Sequence, residues 1–285
     1  MATGVEINRS NITLPPEVSR EILAKTQTDS AVMQLARQIA LPGRGAAIQA
    51  ITSDPEATWV DETDEKTVAR PGLATAVMQP YKLAVIVPFS NEFRRDADFL
   101  YEALVDRLPL ALATKFDKTV IGSTAPGSNF TVLGSAQTQE IGSSAYAGLV
   151  AANGDIAANG GDMNGIALSP AGKAALLGAT DLSGRPIFID SAAEGAIPYI
   201  LGAPVYISKG VNDGNGVVGV AGDWTQAMYG TVEGVKIDIS DQATLTDGDD
   251  SINLFQRNMF AVRAEIELGF VADDKCFNLL TVTES

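Results

Sequence analysis

The side chains with the capacity for chemistry are mostly acidic and lie in turns. Asp247, Asp249 and Asp250 (TDGDDS) and the turn Asn212 to Asn215 (NDGN) carry oxygen ligands of the kind calcium takes. Neither has the spacing of a helix-loop-helix calcium site, and neither ends on the bidentate glutamate such a site needs. They read as acidic surface turns. Gly172-Lys173 resembles the end of a phosphate-binding loop, but Ala174 stands where a Ser or Thr would reach the metal, and the earlier glycine is out of register. This segment reads as a helix start. Asp61, Glu62, Asp64 and Glu65 could act as acid–base pairs only if a pocket separated their proton affinities. In a charged loop tip they are solvated instead. The chain has no His and one cysteine, Cys276. The commonest general base near neutral pH is therefore missing, and neither an intramolecular disulfide nor a thiolate zinc site can form. With no convergent acid, base and nucleophile, the expectation is a non-enzymatic protein with no cofactor or metal.

Composition narrows the role further. Lys and Arg total 20 against 35 Asp and Glu, a formal net charge of -15. Tight binding to a phosphate backbone needs clustered positive charge, and here the balance is opposite. The acidity is uneven: residues 1–118 carry 13 basic and 16 acidic side chains, residues 119–285 only 7 basic and 19 acidic. No apolar run approaches the ~18 residues of a membrane span, and the N-terminus has no apolar signal region. At 285 residues the chain can bury a large core and form two domains.

The elements that position these residues follow from periodicity. Residues 1–45 read as an arm: Pro15-Pro16 precedes a short helix from Glu17 to Lys25, and Val32, Leu35, Ala36 and Ile39 predict a helix over Ser30 to Ile39, stopped by Pro42-Gly43. Residues 46–62 read as extended, residues 63–72 (TDEKTVARPG) as a charged tip, and residues 73–88 as the return strand, with Val77, Tyr81, Leu83, Val85 and Val87 on one face. Pro80 and Pro88 confine this ribbon to an edge, since neither can donate to a ladder. The hairpin has little apolar surface of its own and reads as a limb reaching another subunit, with Glu62, Glu65, Lys66 and Arg70 as its candidate intersubunit contacts. Asp98 then reads as the cap of a helix from Phe99 to Gly122, bent at Pro109, with Leu100, Leu104, Leu108, Leu112, Phe116 and Val120 recurring every fourth position. Arg94 and Arg95 read as salt-bridging residues at its start.

Residues 131–234 are rich in Gly and Ala. They predict a helix from Tyr146 to Ala158, a second capped by Ser169-Pro170 and running through Leu177, and strands at Ile187 to Ile189, Val205 to Ser208 and Val217 to Ala221. Beyond them Phe260, Val262, Ala264, Ile266, Leu268 and Phe270 alternate with Arg263, Glu265 and Glu267, the pattern of a half-buried strand. Cys276 to Val282 is expected to return as its partner after a turn at Asp273-Asp274.

This order of elements carries a resemblance. LPPEVSREILAKTQTDSAVMQLARQI (14–39), WVDETDEKTVARPG (59–72), VPFSNEFRRDADFLYEALVDRLPLALATKFDKTVIG (87–122), GDWTQAMYG (222–230) and QRNMFAVRAEIELGFVADDKCFNLLTV (256–282) occur in sequence. The chain resembles the major capsid proteins of tailed bacteriophages, the Hong Kong 97 fold. The resemblance implies an α+β chain with an N-terminal arm (1–45), an extended β-hairpin loop (46–88), a peripheral domain with a long spine helix (89–130), an inserted axial domain (131–234) and returning peripheral strands (235–285). It implies self-assembly of pentamers and hexamers of the same chain into an icosahedral shell. The shell would enclose double-stranded DNA without sequence-specific binding and would form in the host bacterial cytoplasm. The other partners it implies are a separate scaffolding protein, a portal and a decoration protein, with no membrane. A bacterial encapsulin, a nanocompartment shell of the same fold, is the alternative. Some family members crosslink a loop lysine to a neighbour's asparagine. Lys66 lies in the corresponding loop, but no asparagine or glutamate partner can be placed, so no catalytic residue is carried over.

Overall fold

A computed structural model describes residues 16–53, 57–62, 65, 66, 68, 72–92, 97–142, 144–180, 199–212, 214–248 and 250–282. The arm contributes α1 (Pro16–Asp29), α2 (Ala31–Leu35) and β1 (Arg37–Ala40). The hairpin follows as β2 (Ala46–Ser53) and β3 (Gly72–Met78), then β4 (Tyr81–Ser90) and the long helix α3 (Ala97–Ile121). The middle of the chain holds β5 (Gln137–Glu140), α4 (Ala145–Ala158), β6 (Gly165–Leu168), α5 (Pro170–Leu177), β7 (Tyr199–Ile200), β8 (Ala203–Ile207), β9 (Val217–Gly222) and β10 (Ala227–Thr231). The rest is β11 (Lys236–Ser240), β12 (Thr244–Asp247), β13 (Asp250–Asn253), β14 (Met259–Ala272) and β15 (Phe277–Thr281). The architecture is mixed, α+β.

Two sheets carry the body. In the first, β14 is central: β4 pairs along the length of one edge, while β10 and β11 share the other and β1 adds in parallel to β10. The core face of β14 is realised, with Phe260, Val262, Ala264 and Phe270 at 0 % exposure, and Arg263 on the other face is exposed, although Ala261 and Gly269 on that face are also buried. The inner face meets α3, whose Leu108, Leu112, Phe116 and Val120 are buried as the four-residue spacing predicts. Phe116 stands edge-on to Phe130, Tyr229 and Phe270, with ring centroids 6.3 to 6.5 Å apart. Such edge-to-face pairs contribute about 0.5–1.5 kcal/mol each beyond area burial. Pro109 is buried inside an uninterrupted helix, and Gly122 follows its last residue.

The second sheet runs β5-β15-β9-β6-β8-β7. It is covered on both sides, so β6 and β9 are buried at every position, the near-continuous apolar run expected of a doubly covered sheet. Ala167, Val220 and Leu279 join the core shared with α3 and the arm, while Ile166, Leu168, Ala221 and Leu280 pack with α4 and α5. Ser169 caps α5 through Gly172 N–H at 3.1 Å, with Pro170 at the first helical position.

Four expectations are corrected. The helix over Ser30 to Ile39 stops at Leu35: Ala36 is extended (φ -78°, ψ 150°), and Arg37 to Ala40 pair with Met228 to Thr231. A neighbouring strand outcompetes helical periodicity there. The return arm is two strands rather than one. It breaks at Gln79-Pro80, so only β3 belongs to the hairpin, while β4 lies in the body with Tyr81, Leu83, Val85 and Val87 against the core. β4 is an edge strand, the position Pro88 requires. Asp98 lies within α3, which starts at Ala97, rather than capping it. Finally, β15 does not pair with β14 but enters the second sheet between β5 and β9, because alternation defines a strand's faces and not its partner. The turn Asp247 to Asp250 is the tip of the small β12–β13 hairpin. Arg94, Arg95, Asp249 and the strand expected at Ile187 to Ile189 lie outside the described residues.

Candidate assembly interface

The hairpin is rooted on the outer face of the first sheet. Gly230 of β10 and Gly269 of β14 sit opposite each other in register, leaving a bare patch of backbone. Met78, the last residue of β3, fills it at 0 % exposure together with Leu41. A Cβ on Gly269 would lie 2.7 Å from Met78 Cγ and 2.8 Å from the Gln79 carbonyl oxygen, and one on Gly230 would lie 2.8 Å from Met78 Sδ. Both glycines are thus demanded by close approach.

Beyond this root the limb is solvated. Trp59 is fully exposed (104 %), as is most of Val68 (83 %), and Val60 is also exposed. Asp61, Glu62, Glu65 and Lys66 share this environment. Glu62, Glu65 and Lys66 are thus each exposed, and Arg70 lies outside the described residues. An indole left in water forgoes the apolar burial that makes aromatic residues dominant at interfaces.

The arm is tied to the long helix by one buried carboxylate. Asp117 is 0 % exposed. Its Oδ1 accepts from Ser30 Oγ–H at 2.5 Å and Val32 N–H at 3.4 Å, and its Oδ2 accepts from Ala31 N–H at 3.0 Å. Ser30 Oγ in turn accepts from Met33 N–H at 3.1 Å, capping α2. Burial pushes the Asp117 carboxyl up to about 6, against the opposing pull of hydrogen bonds from Ser208, Ser30 and the Ala31 and Val32 amides. Desolvation wins because a whole charge is buried while its partners are neutral dipoles.

The outer face also carries a group of charges around the exposed Ile86. Lys82 on β4 reaches Glu265 at 2.8 Å and Glu267 at 3.4 Å, and Arg263 reaches Asp238 at 2.6 Å. The Lys82 hydrogen bond holds the Glu265 carboxyl below its ordinary value. Exposed pairs of this kind contribute about 0–1 kcal/mol each. They keep the face wet, and Glu265 and Glu267 line a small cleft of about 160 Å³ with Glu233 and Lys236. The Cys276 thiol is buried, and burial followed by the charges of Asp273, Asp223 and Asp274 pushes it up, the opposite of what a nucleophile needs. No helix among the described residues is long and apolar enough to cross a membrane.

Sequence reasoning missed two features here. Gly269 inside the predicted strand Phe260 to Phe270 was the available signal for the bare patch; the strand that carries Gly230 was not predicted. For Asp117 the signal was its phase: it lies on the face of Ala113 and Val120, both at 0 % exposure.

A two-sheet body, a long buried helix and an outreaching hairpin define a structural subunit with the fold of phage shell proteins. A solved chain from Mycobacterium phage Bobi superposes with a TM-score of 0.70 at 20% identity, over 100% of this chain and 96% of that one. The probable major capsid proteins of Mycobacterium phages L5 and D29 are 32% and 29% identical, each over 92% of this chain and over 86% and 87% of their own lengths. The model of the phage capsid family matches residues 10–282. The chain belongs to the phage capsid family.

Proposed function

We propose that this major capsid protein closes into rings of five and six copies that tile an icosahedral shell around double-stranded DNA. In this reading the hairpin of each subunit lies over its neighbour. The second sheet with α4 and α5 forms the axial unit towards the ring centre, completed by β15. The first sheet with α3 forms the peripheral unit. Assembly takes place in the host cytoplasm around a separate scaffolding protein, with a portal at one vertex and a decoration protein on the outside. The net charge of -15 suits a wall that encloses DNA without gripping it.

The observation that carries this reading is the hairpin itself, rooted by a fully buried Met78 and ending in an exposed Trp59 and a charged tip. An encapsulin shell is not favoured, since the curated relatives at full length are phage capsid proteins.

Electron microscopy of the purified chain is expected to show closed shells or capsomer rings, and a monodisperse monomer under all assembly conditions would refute the proposal. The tip gives a sharper test. Ion pairs from Glu62, Glu65, Lys66 and Arg70 contribute only about 0–1 kcal/mol each, but they recur in every subunit and add through avidity. The double charge reversal Lys66→Glu with Arg70→Glu is expected to abolish shells while leaving subunit thermal unfolding unchanged. Normal shells from that variant would remove the tip contacts from the account.

A further inference from the structure

Trp59 is fully exposed on the hairpin and is followed by the exposed carboxylates of Asp61 and Glu62. Elsewhere on the same subunit lies an open cleft of about 510 Å³ lined by Leu35, Pro204, Tyr206 and Trp224, with the exposed Arg37 and Thr225 also in its wall. Its volume falls in the range of sites that enclose one compact apolar group.

The cleft is held open by a buried polar scaffold. Asp223 accepts from Thr225 N–H at 3.0 Å, Thr225 Oγ1–H at 2.6 Å and Asn164 Nδ2–H at 2.8 Å. Trp224 donates its backbone N–H to Asn164 Oδ1 and its indole N–H to the Gly165 carbonyl, both at 2.9 Å. The aromatic wall therefore cannot collapse inward to fill the space. Arg37 donates to Met228 Sδ at 3.1 Å, and among the described residues no carboxylate pairs with it. One surface thus offers an apolar slot beside a cation, and the other an unburied indole beside two anions.

We propose that Trp59 of one copy of the chain seats in the cleft between α2, β8 and the Trp224 turn of a neighbouring copy, with Asp61 and Glu62 facing Arg37. This rests on the assembly reading above and adds to it a specific knob and its socket. A buried aromatic anchor ringed by charge is the usual form of an interface hot spot, and the complementary charges set the register of docking.

The chain has two tryptophans. Trp224 is buried at 2 % exposure in the single subunit and Trp59 is fully exposed, so the acrylamide-quenchable component of the free subunit's emission reports Trp59. Shells of the wild-type chain are expected to emit at shorter wavelength than free subunits and to lose the acrylamide-quenchable component. Arg37→Glu is expected to prevent shell formation, and combining it with Asp61→Lys and Glu62→Lys to restore it. Wild-type shells in which Trp59 remains as quenchable as in free subunits would overturn this inference and leave the assembly reading intact, as would normal shells from Arg37→Glu. Failure of the wild-type chain to assemble at all would overturn both.

Discussion

Replacing Asp117 with alanine is expected to destabilise the subunit by about 3 kcal/mol or more and to release the arm from the long helix. The change leaves Ala31 N–H and the Ser30 hydroxyl without their acceptor in a site with no water access, and each buried group left unpaired costs about 1–3 kcal/mol. Asp117→Asn should be far milder. Its oxygen can accept from Ala31 while its amide donates to Ser30 Oγ, and it carries no charge to desolvate. The two variants together separate the role of shape from the role of charge.

The same residue makes stability depend on pH in a direction opposite to most carboxylates. An aspartate in the unfolded chain titrates near ~3.9, whereas burial raises Asp117 to about 6 in the folded subunit. The native state then holds the proton more tightly than the unfolded state. Its contribution is fully present below about pH 4 and is lost as pH rises through about 6, a change of about 3 kcal/mol. The measurement is the urea midpoint of the wild type minus that of Asp117→Asn across this window, which cancels the other acidic groups. The difference is expected to fall as pH rises. A difference that is flat or rises would show that the hydrogen bonds outweigh burial.

The second large effect concerns the glycine pair under the hairpin. Gly269→Leu is expected to unseat β3 and abolish shell formation while the two sheets stay folded. Even its Cβ would meet the Gln79 carbonyl oxygen at 2.8 Å, a backbone atom that cannot swing aside. Overpacking of this kind costs about 1–3 kcal/mol, and here the cheapest relief is for the hairpin to lift from the sheet. Hydrogen exchange should rise in 46–53 and 72–78 and not in β14. Gly230→Ala is a graded version, because it meets only the side chains of Met78 and Leu41. Met78→Ala, which removes the anchor itself, should raise exchange in the same two segments. Unchanged exchange in Gly269→Leu would mean that Met78 does not anchor the limb.

The sequence was most legible where one physical pattern dominates. β14 alternates because one face meets the core and the other meets water. α5 begins where Ser169-Pro170 says it must, and the buried positions of α3 from Leu108 to Val120 follow directly from their spacing. It was least legible where a distant partner decides the outcome. Arg37 to Ala40 has the composition of a helix end and becomes a strand only because Met228 to Thr231 lie alongside. β15 looks like a hairpin partner for β14, yet after the three-residue 3-10 turn at Asp274 to Cys276 it enters the other sheet. In the hairpin loop the exposure of Glu62, Glu65 and Lys66 was readable from their charge. Its anchor was not, since Met78 and two glycines lie far apart in the chain and carry no distinguishing chemistry. The cleft beside Arg37 draws on α2, β8 and the Trp224 turn, and no local pattern announces it.

The placement of β15 has a consequence for the order of folding. Among the described residues β5 pairs with no strand other than β15, and the hydrogen bond from Thr281 to Gln139 closes a loop of 142 positions. Loops of this length close slowly, and contacts across them are made late. The second sheet thus waits, with β9 and β5 both unpaired along an edge, until residues 277–281 have been made. A nascent subunit in that state presents two sticky edges that the finished one hides. Association between chains in that state would bury the wrong surfaces, so the arrival of β15 also times when a subunit becomes fit to join its neighbours.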